Sequence, residues 1–534
     1  MDRRSFLRAG AGGAGALWLA GAGCVPAPRY SPPANGTPFT VGVLSGLHSD
    51  REVVLWTRLE PTLAPGATSV SWSVSTTVDM ANVVSSGSVA VSPDADWTAK
   101  VLVGDLDPDR SYWYRFTAGA DTAPSPVGRA RTLPPAGSDP ARLRLVFASC
   151  QNWGAGWYNA WDGIAAEDVD AVVWLGDYIY ESASNGLGSV RRDPVGTSDD
   201  LAGYRDKYKL YRSDPSLQAG HRAHPFVPIW DDHEILNDYN RFTLIEQPAR
   251  AADAYQAWFE YMPVWPIDGT RSYRSVRWGR LGELFLLDTR QYRDRQANGF
   301  LPSTSSTPIG VGQTLVEANL AGRTILGSDQ RQWLLDGLDA AQGNDVRWKL
   351  IGNQVMIAPV RPIDLDTPEL RQLFPDLPRH NGLFVNMDSW GSYLWERDLL
   401  LAHLADAAIS DVSFLTGDIH TFWQQSLRAD FDDDSSPIVA NEYVGGSISS
   451  QGPNAIGNDD FGRWIEDLTR SWSPAFRYTD FRRNGYGLVD ATPDAMDVSF
   501  RVTRVKTPGY PVDTSVRFGV TPSNPTPTFT ALDA

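Results

Sequence analysis

The stretch Val173–Glu181, VWLGDYIYE, decides how the rest of the chain is read. An apolar run stops abruptly at a carboxylate, Asp177, and three residues further on stands a phenol, Tyr180. A capping aspartate in a strand-end turn explains such an acid by itself, whereas a metal site needs partners from elsewhere in the chain. Four more apolar runs end in the same way. LRLVFASCQN ends at Cys150, and HPFVPIWDDHEILNDY at Asp231, Asp232 and His233. WKLIGNQVM ends at Asn353, and DVSFLTGDIHTFW at Asp418 and His420. Helix-like stretches such as DQRQWLLDGLDAAQG and RDLLLAHLADAA alternate with these runs, so this part of the chain is an α/β domain. Ligands in open α/β sheets sit beyond the carboxyl ends of the strands. If the five strands share a sheet, their polar ends meet on one rim.

The converging groups are one thiol, one phenol, one imidazole and several carboxylates. Thiolate, phenolate and imidazole sharing a carboxylate favour a transition metal of high charge, while oxygen-only sets favour a hard cation such as calcium. The mixed set predicts a mixed-metal centre with Asp177 as the bridge. Two cations a few ångströms apart can clamp the attacking and leaving oxygens of a phosphoryl group and acidify a water, so the reaction class is metal-assisted phosphoester hydrolysis.

Composition agrees. A chain of 534 residues with 20 Trp, 37 Pro and 47 Gly is long enough for two or three domains, each with a core. The formal charge of −17 argues against nucleic acid or an anionic membrane as partner. An anionic substrate would meet a repulsive field unless positive charge were concentrated locally. The two cysteines, Cys24 and Cys150, exclude a disulfide framework, since Cys24 falls in a leader. Residues 1–24 have a basic start, an Ala/Gly-rich stretch and small residues at the end, the make-up of a signal peptide. Arg3-Arg4 followed by Ser5-Phe6-Leu7 resembles the twin-arginine signal, which predicts export through the twin-arginine translocase to the periplasm or the extracellular space. Cys24 is a candidate lipid-anchor site, and cleavage is the alternative. No later run reaches the length of a transmembrane helix.

Residues 25–38 read as a stiff Pro-rich linker. From 39 to 133 the pattern is short strands, SVSWSVST alternating with period two, and LDPDRSYWYRF resembling the tyrosine corner of a fibronectin type III sandwich. An immunoglobulin-like β-sandwich is therefore expected there, with an irregular β region of the larger domain as the alternative. RTLPPAGSDPAR is the hinge to a catalytic domain over 141–510. Residues 511–534, rich in Pro and Thr and without helical periodicity, are expected to be a C-terminal tail. With no lid there, the pocket is expected to admit diesters as well as monoesters, unless the loop Gly299–Leu315 covers it.

The segments VVLWTRL, FASCQ, WLGDYIYE, WDDHE, LLDTRQYR, ILGSDQRQWL, TGDIHTFW and SISSQG, in this order, resemble the PhoD-type alkaline phosphatases, relatives of the purple acid phosphatases within the calcineurin-like phosphoesterases. The resemblance runs from about Thr40 to Tyr510. It implies a four-layer αββα phosphatase domain behind an immunoglobulin/fibronectin III-like sandwich, holding a ferric ion (Fe3+) and calcium (Ca2+). Carried over by position, Cys150, Asp177, Tyr180 and His420 would hold iron, and Asp177, Asp232 and Asp418 calcium. His233 would assist the leaving group. A further calcium would use Asp231 and a residue just past DDHE, where this chain has Asn237-Asp238. Asn237, Asn353 and Arg290 are candidates for the pocket wall, with structural pairing to acids as the alternative for Arg290 and Arg293. His48, His221, His224, His380 and His403 read as surface or packing residues. A monomeric enzyme acting on phosphate esters is expected. A phospholipase-like phosphodiesterase is the alternative within the class, and a non-catalytic extracellular binding protein the alternative outside it.

Overall fold

The computed structural model describes residues 36–532 except 120–121, 187, 298–312, 377–378, 453–457 and 474. The leader, Cys24, most of the linker and nearly all of the Gly299–Leu315 loop lie outside the described residues.

The N-terminal part consists of β1 (Val43–Leu47), β2 (Val53–Arg58), β3 (Ser69–Ser75), β4 (Val83–Ala90), β5 (Thr98–Val103), β6 (Ser111–Thr117) and β7 (Gly128–Arg131). β4-β3-β6-β7 form one sheet, and β1, β2 and β5 pair antiparallel as a second. Burial alternates residue by residue along β6, because successive side chains point to opposite faces. Tyr112, Tyr114 and Phe116 therefore meet Val53, Leu55, Val70 and Val74 in one core. The Asp107 N–H donates to Tyr112 Oη at 2.8 Å, the expected tyrosine corner.

The sandwich is not a body hung on a hinge. β1 also pairs parallel with β10 (Phe226–Ile229), at Gly46 and Phe226, so its second sheet continues into the catalytic one. A Cβ at Gly46 would lie 2.0 Å from the Pro263 carbonyl oxygen, and only glycine permits that crossing.

The larger body opens with β8 (Leu143–Ala148), α1 (Asn159–Ala166), β9 (Ala171–Leu175), α2 (Leu201–Arg212) and α3 (Pro215–Ala223). After β10 come α4 (Arg241–Glu246), α5 (Pro248–Tyr261), β11 (Arg274–Trp278), β12 (Gly282–Leu286), α6 (Gln313–Ala318), α7 (Gly327–Gly343) and β13 (Trp348–Asn353). An insertion holds β14 (Val360–Asp364), α8 (Pro368–Leu373) and β15 (Gly382–Val385), followed by α9 (Leu394–Asp406). The chain finishes with β16 (Val412–Thr416), β17 (Phe422–Arg428), β18 (Ile438–Gly445), α10 (Asp459–Arg470), β19 (Phe476–Asp480), β20 (Asn484–Ala491), β21 (Met496–Thr503), β22 (Asp513–Thr521) and β23 (Asn524–Ala531).

Two sheets result, of ten strands (β23-β22-β21-β20-β8-β9-β10-β1-β2-β5) and seven (β11-β12-β13-β16-β18-β17-β19). β9 shows why its apolar run is continuous. Val173 and Leu175 pack between the sheets against Leu286, Leu350 and Leu415. Val172 and Trp174 face outward, under Trp161 of α1, Leu217 of α3 and Trp258 of α5. On the far side, α7 and α9 cover the seven-stranded sheet through Leu334, Leu338, Leu400 and Leu404. The order helix, sheet, sheet, helix is the four-layer sandwich.

Two expectations are corrected. The five runs do not share a sheet: Cys150, Asp177 and Asp231–His233 follow β8, β9 and β10, whereas Asn353 and Asp418–His420 follow β13 and β16 of the other. Nor is 511–534 a tail, and the catalytic body does not end at 510. β22 puts Val516, Phe518 and Val520 into the core between the sheets, and β23 pairs with it. Pro525 and Pro527 are tolerated because β23 is an edge strand, where a missing N–H breaks no ladder.

Candidate metal centre

The strand ends of both sheets are drawn together by main-chain contacts. Cys150 N–H donates to Gly176 O at 3.2 Å, and Gln151 N–H to Asp177 O at 3.1 Å. Gly176, at φ +105°, lies so close to the next strand end that a Cβ would fall 2.2 Å from Asp231 Cβ. Glu234 then ties the ends of β9 and β10, accepting from the N–H groups of Asp177 (3.1 Å), Tyr178 (2.5 Å) and Asp231 (2.9 Å). Cys150, Asp177, Asp238, Asp418 and His420 all have φ between 57° and 63°, the left-handed region that costs a side-chain-bearing residue roughly 1 kcal/mol or more. Such strain gathered at one place marks a site.

The ligand atoms of Cys150, Asp177 and His420 lie within 4.8 Å of one another, and so do those of Asp177, Asp232 and His233. The same holds for Asp231, Asp232 and Asp418, and for Asp232, Asp238 and Asp388. Asp177 and Asp232 are each shared, so the groups form a row of adjoining cation-sized sites. Tyr180 Oη donates to Asp177 Oδ2 at 2.8 Å, lies 3.2 Å from His420 Nε2 and accepts from Ser450 Oγ at 2.7 Å. The predicted ligands Cys150, Asp177, Tyr180, Asp231, Asp232, Asp238, Asp418 and His420 thus meet in one place, with His233 beside them.

The electrostatics ask for cations. Burial pushes the Cys150 thiol well up, and the charges of Asp177 and Asp418 push it further. Burial and Asp177 do the same to the Tyr180 phenol. Asp177 is raised by burial and by Asp232 and Asp231, against the lowering effect of His233. Asp231 is pushed up to about 6 by burial despite Arg290, and Asp238 to about 8 by burial with Asp388 and Asp232. Acids crowded out of water cannot all ionise without positive charge among them. Asp232 Oδ1 is buried with no hydrogen-bond partner, an orphaned acceptor inside three of the four groups. The donor set and that orphan fit metal ions.

The two histidines differ. Burial lowers His420 to about 4, so its ring is neutral; Nδ1 lies 3.0 Å from Gln451 O and donates to it, leaving Nε2 free to ligate. Burial also opposes charge on His233, but Asp177, Glu181 and Asp232 outweigh it and hold its pKa well above the usual value. His233 Nδ1 is 2.7 Å from Glu181 Oε2, and its ring lies 4.1 Å from that of Tyr180.

Of the pocket candidates, Asn237 lines the cavity beside His233. Asn353 does not. It is fully buried, donates to Val355 O and accepts from Trp390 Nε1 at 3.2 Å, so it is a structural residue. Arg290 is also fully buried, beneath the acids, donating to Asp231, Asp388 and Asp418. Arg293 donates to Asp388 at 2.7 Å. Sequence reasoning passed over Glu181, Glu234 and Ser450, although each belongs to a motif already singled out. Asp388 carries no such signal, because it sits in a loop after β15 rather than at the end of an apolar run.

The cavity above these groups has a volume of about 480 Å³. A family model described as "PhoD-like phosphatase" matches residues 145–500, and one described as "PhoD-like phosphatase, N-terminal domain" matches residues 23–134. Alkaline phosphatase D of Bacillus subtilis (strain 168) is 33% identical over 545 residues, covering 97% of this chain and 87% of that protein. The solved structure described as "Structure of PhoD" superposes with a TM-score of 0.81 at 31% identity, over 94% of both chains. A purple acid phosphatase from yellow lupin (Lupinus luteus) seeds shares the fold, with a TM-score of 0.51 at 11% identity over 90% of this chain and 74% of that one.

Proposed function

The chain belongs to the PhoD-like phosphatases and is a hydrolase of phosphoric ester bonds, and from that premise we propose an exported alkaline phosphatase that cleaves both monoesters and diesters. In this reading Cys150, Asp177, Tyr180 and His420 hold ferric iron, while Asp177, Asp232 and Asp418 hold calcium, with Asp231, Asp238 and Asp388 beside them. The observation that carries it is that Asp177, grouped with Cys150 and His420, also lies beside Asp232, which belongs with Asp231 and Asp418 to an all-carboxylate group. A soft, nitrogen-containing set suits a transition metal and an oxygen-rich set suits calcium.

Bound there, such cations neutralise phosphoryl oxygens and acidify water. The chain supplies the rest. His233, aligned by Glu181 through Nδ1, would present Nε2–H to the departing ester oxygen as general acid. Asn237 offers side-chain amide donors from the cavity wall. Arg290 moderates the repulsion among the acids from beneath. Glu234 keeps the ends of β9 and β10 in register through its three main-chain contacts.

Elemental analysis beside assays on a monoester and a diester tests this. Iron and calcium should accompany activity, and a ferric phenolate should colour the protein, with Tyr180→Phe bleaching or shifting the band. An active protein free of iron would remove the metal assignment. Twin-arginine export is supported by Arg3-Arg4 and tested by replacing both with lysine, which should leave the chain inside the cell. The oligomeric state expected is a monomer, and light scattering checks it.

A further inference from the structure

Residues 447–452, just past β18, carry three buried serines, Ser447, Ser449 and Ser450. Ser447 Oγ donates to Ser450 O at 2.8 Å and Ser449 Oγ to Asn152 O at 2.8 Å, so both hydroxyls serve the main chain. The third differs. Ser450 Oγ accepts from Asn152 N–H at 3.2 Å and donates to Tyr180 Oη at 2.7 Å. A hydroxyl has a single proton to give. With Asn152 N–H on one lone pair of Ser450, that proton is aimed at the phenol oxygen, whether the oxygen bears hydrogen or a metal.

The same turn holds two more members of the proposed iron set. The N–H groups of Ser449 and Ser450 donate to Cys150 O at 3.3 and 3.2 Å, and Gln451 O accepts from His420 Nδ1 at 3.0 Å. Gly452 passes so near that a Cβ would lie 2.8 Å from His420 O. Ser450 is itself held fast, its carbonyl accepting from Asn484 Nδ2 and Ser447 Oγ, each at 2.8 Å. Ser449, Ser450 and Gln451 thus touch Cys150, Tyr180 and His420 while lying outside the ligand set.

We propose that Ser450 is a positioning residue for the iron-bound Tyr180, its hydroxyl fixing the phenol oxygen and drawing electron density from it. The proposal rests on the ferric reading of Cys150, Asp177, Tyr180 and His420 above. A hydrogen bond to a charged oxygen is roughly twice as strong as one between neutral groups. Partners that orient a metal ligand from behind in this way carry about 10–100-fold in metal affinity. The hydrogen bond also lowers the filled orbitals of a phenolate, which widens the gap across which light moves charge from phenolate to iron. Without it the band should lie at longer wavelength.

The test is the visible spectrum of the protein loaded with excess ferric iron and desalted, for the wild type, Ser450→Ala, Ser450→Thr and Tyr180→Phe. Ser450→Ala should move the band to longer wavelength and lower ferric affinity, read by competition with a chelator, by about 10–100-fold. Ser450→Thr keeps the hydroxyl and should restore both. A merely structural serine would cost iron without moving the band, so an unmoved band in Ser450→Ala overturns the proposal. Iron lost equally from both Ser450 variants overturns it too, by making the residue a packing group. A wild type without a band, or with one that survives Tyr180→Phe, removes the ferric phenolate reading and this role with it. A band tied to Tyr180 but indifferent to Ser450 removes this role alone.

Discussion

Among the described residues, two places bring a histidine and aspartates within metal-binding distance, and they differ in charge balance. One is the strand-end centre. The other is Asp366, His380 and Asp432, which joins the β14–β15 insertion to the loop between β17 and β18. In the second place every anion meets a cation from the chain. His380 lies 2.6 Å from Asp432 and 2.7 Å from Asp398, Arg361 is 2.7 Å from Asp432, and Arg371 donates to Asp366 at 2.7 Å. Burial opposes charge on His380, yet hydrogen bonds to Asp398 and Asp432 hold its pKa up; Asp432 is correspondingly lowered despite its own burial, while Asp366 is raised by burial and by Asp432. In the first place Asp177, Asp231, Asp232, Asp238, Asp388 and Asp418 face, among the described residues, Arg290, Arg293 and His233 alone, and several carboxyl groups are pushed up. Ligand geometry is similar in both; charge balance separates them. A balanced cluster is an internal ion-pair network, and an unbalanced one calls for a metal.

The contrast breaks most readily at its shared residue. Asp177→Asn should cost both metals and lower kcat/KM by about 10³-fold or more. Asp366→Asn should leave metal content and turnover as they are while lowering stability by about 1–3 kcal/mol, since a buried carboxylate that accepts from Arg371 and from the His380 N–H loses its charge. Metal analysis and denaturant melts of the two variants decide it, and metal lost from Asp366→Asn would erase the distinction.

His233→Ala should slow alkyl phosphates by about 10²–10⁴-fold and nitrophenyl phosphate far less, because a good leaving group needs no proton. Metal content should be intact. Equal losses on both esters would make His233 a ligand or a prop instead. Glu181→Gln should cost about tenfold and move the alkaline limb of the pH–rate profile downward, because His233 loses a negative neighbour that raises its pKa. An unmoved limb would detach Glu181 from the acid role.

The contrast also shows in stability against pH. With metals stripped, Asp231 titrates near 6, Glu234 near 7 and Asp238 near 8, against about 4 when unfolded. The folded chain binds more protons across that range, so the stripped protein should lose stability as pH rises from about 4 to 8. The loaded protein should not, since the cations favour the ionised carboxylates. Melting temperatures with and without chelator check this, and parallel curves would mean that the acids are not where the metals bind.

Much of the centre was legible because its signal is local. An apolar run that stops at a polar residue announces a buried strand and its end, whatever the rest of the chain does, and Cys150, Asp177, Asp232, His233, Asp418 and His420 all lie at such stops. The tyrosine corner at Tyr112 was readable for the same reason, its partner Asp107 being five residues away. Asp388 was silent, because only the folding of a loop after β15 carries it to Asp232 and Asp238. Asn353 stood at a strand end like the others and was still turned inward, toward Val355 and Trp390, rather than into the cavity. Residues 511–534 looked like a tail because an edge strand buried on one face needs few apolar residues and tolerates proline. By itself, then, the sequence determined which residues end strands and which chemistry those residues can perform, because periodicity and composition act over a few residues. Only the tertiary structure decided that the strands belong to two facing sheets, that β1 fuses the sandwich to the larger one, and which buried acids are left without a counter-charge, because pairing and charge balance depend on residues far apart in the chain.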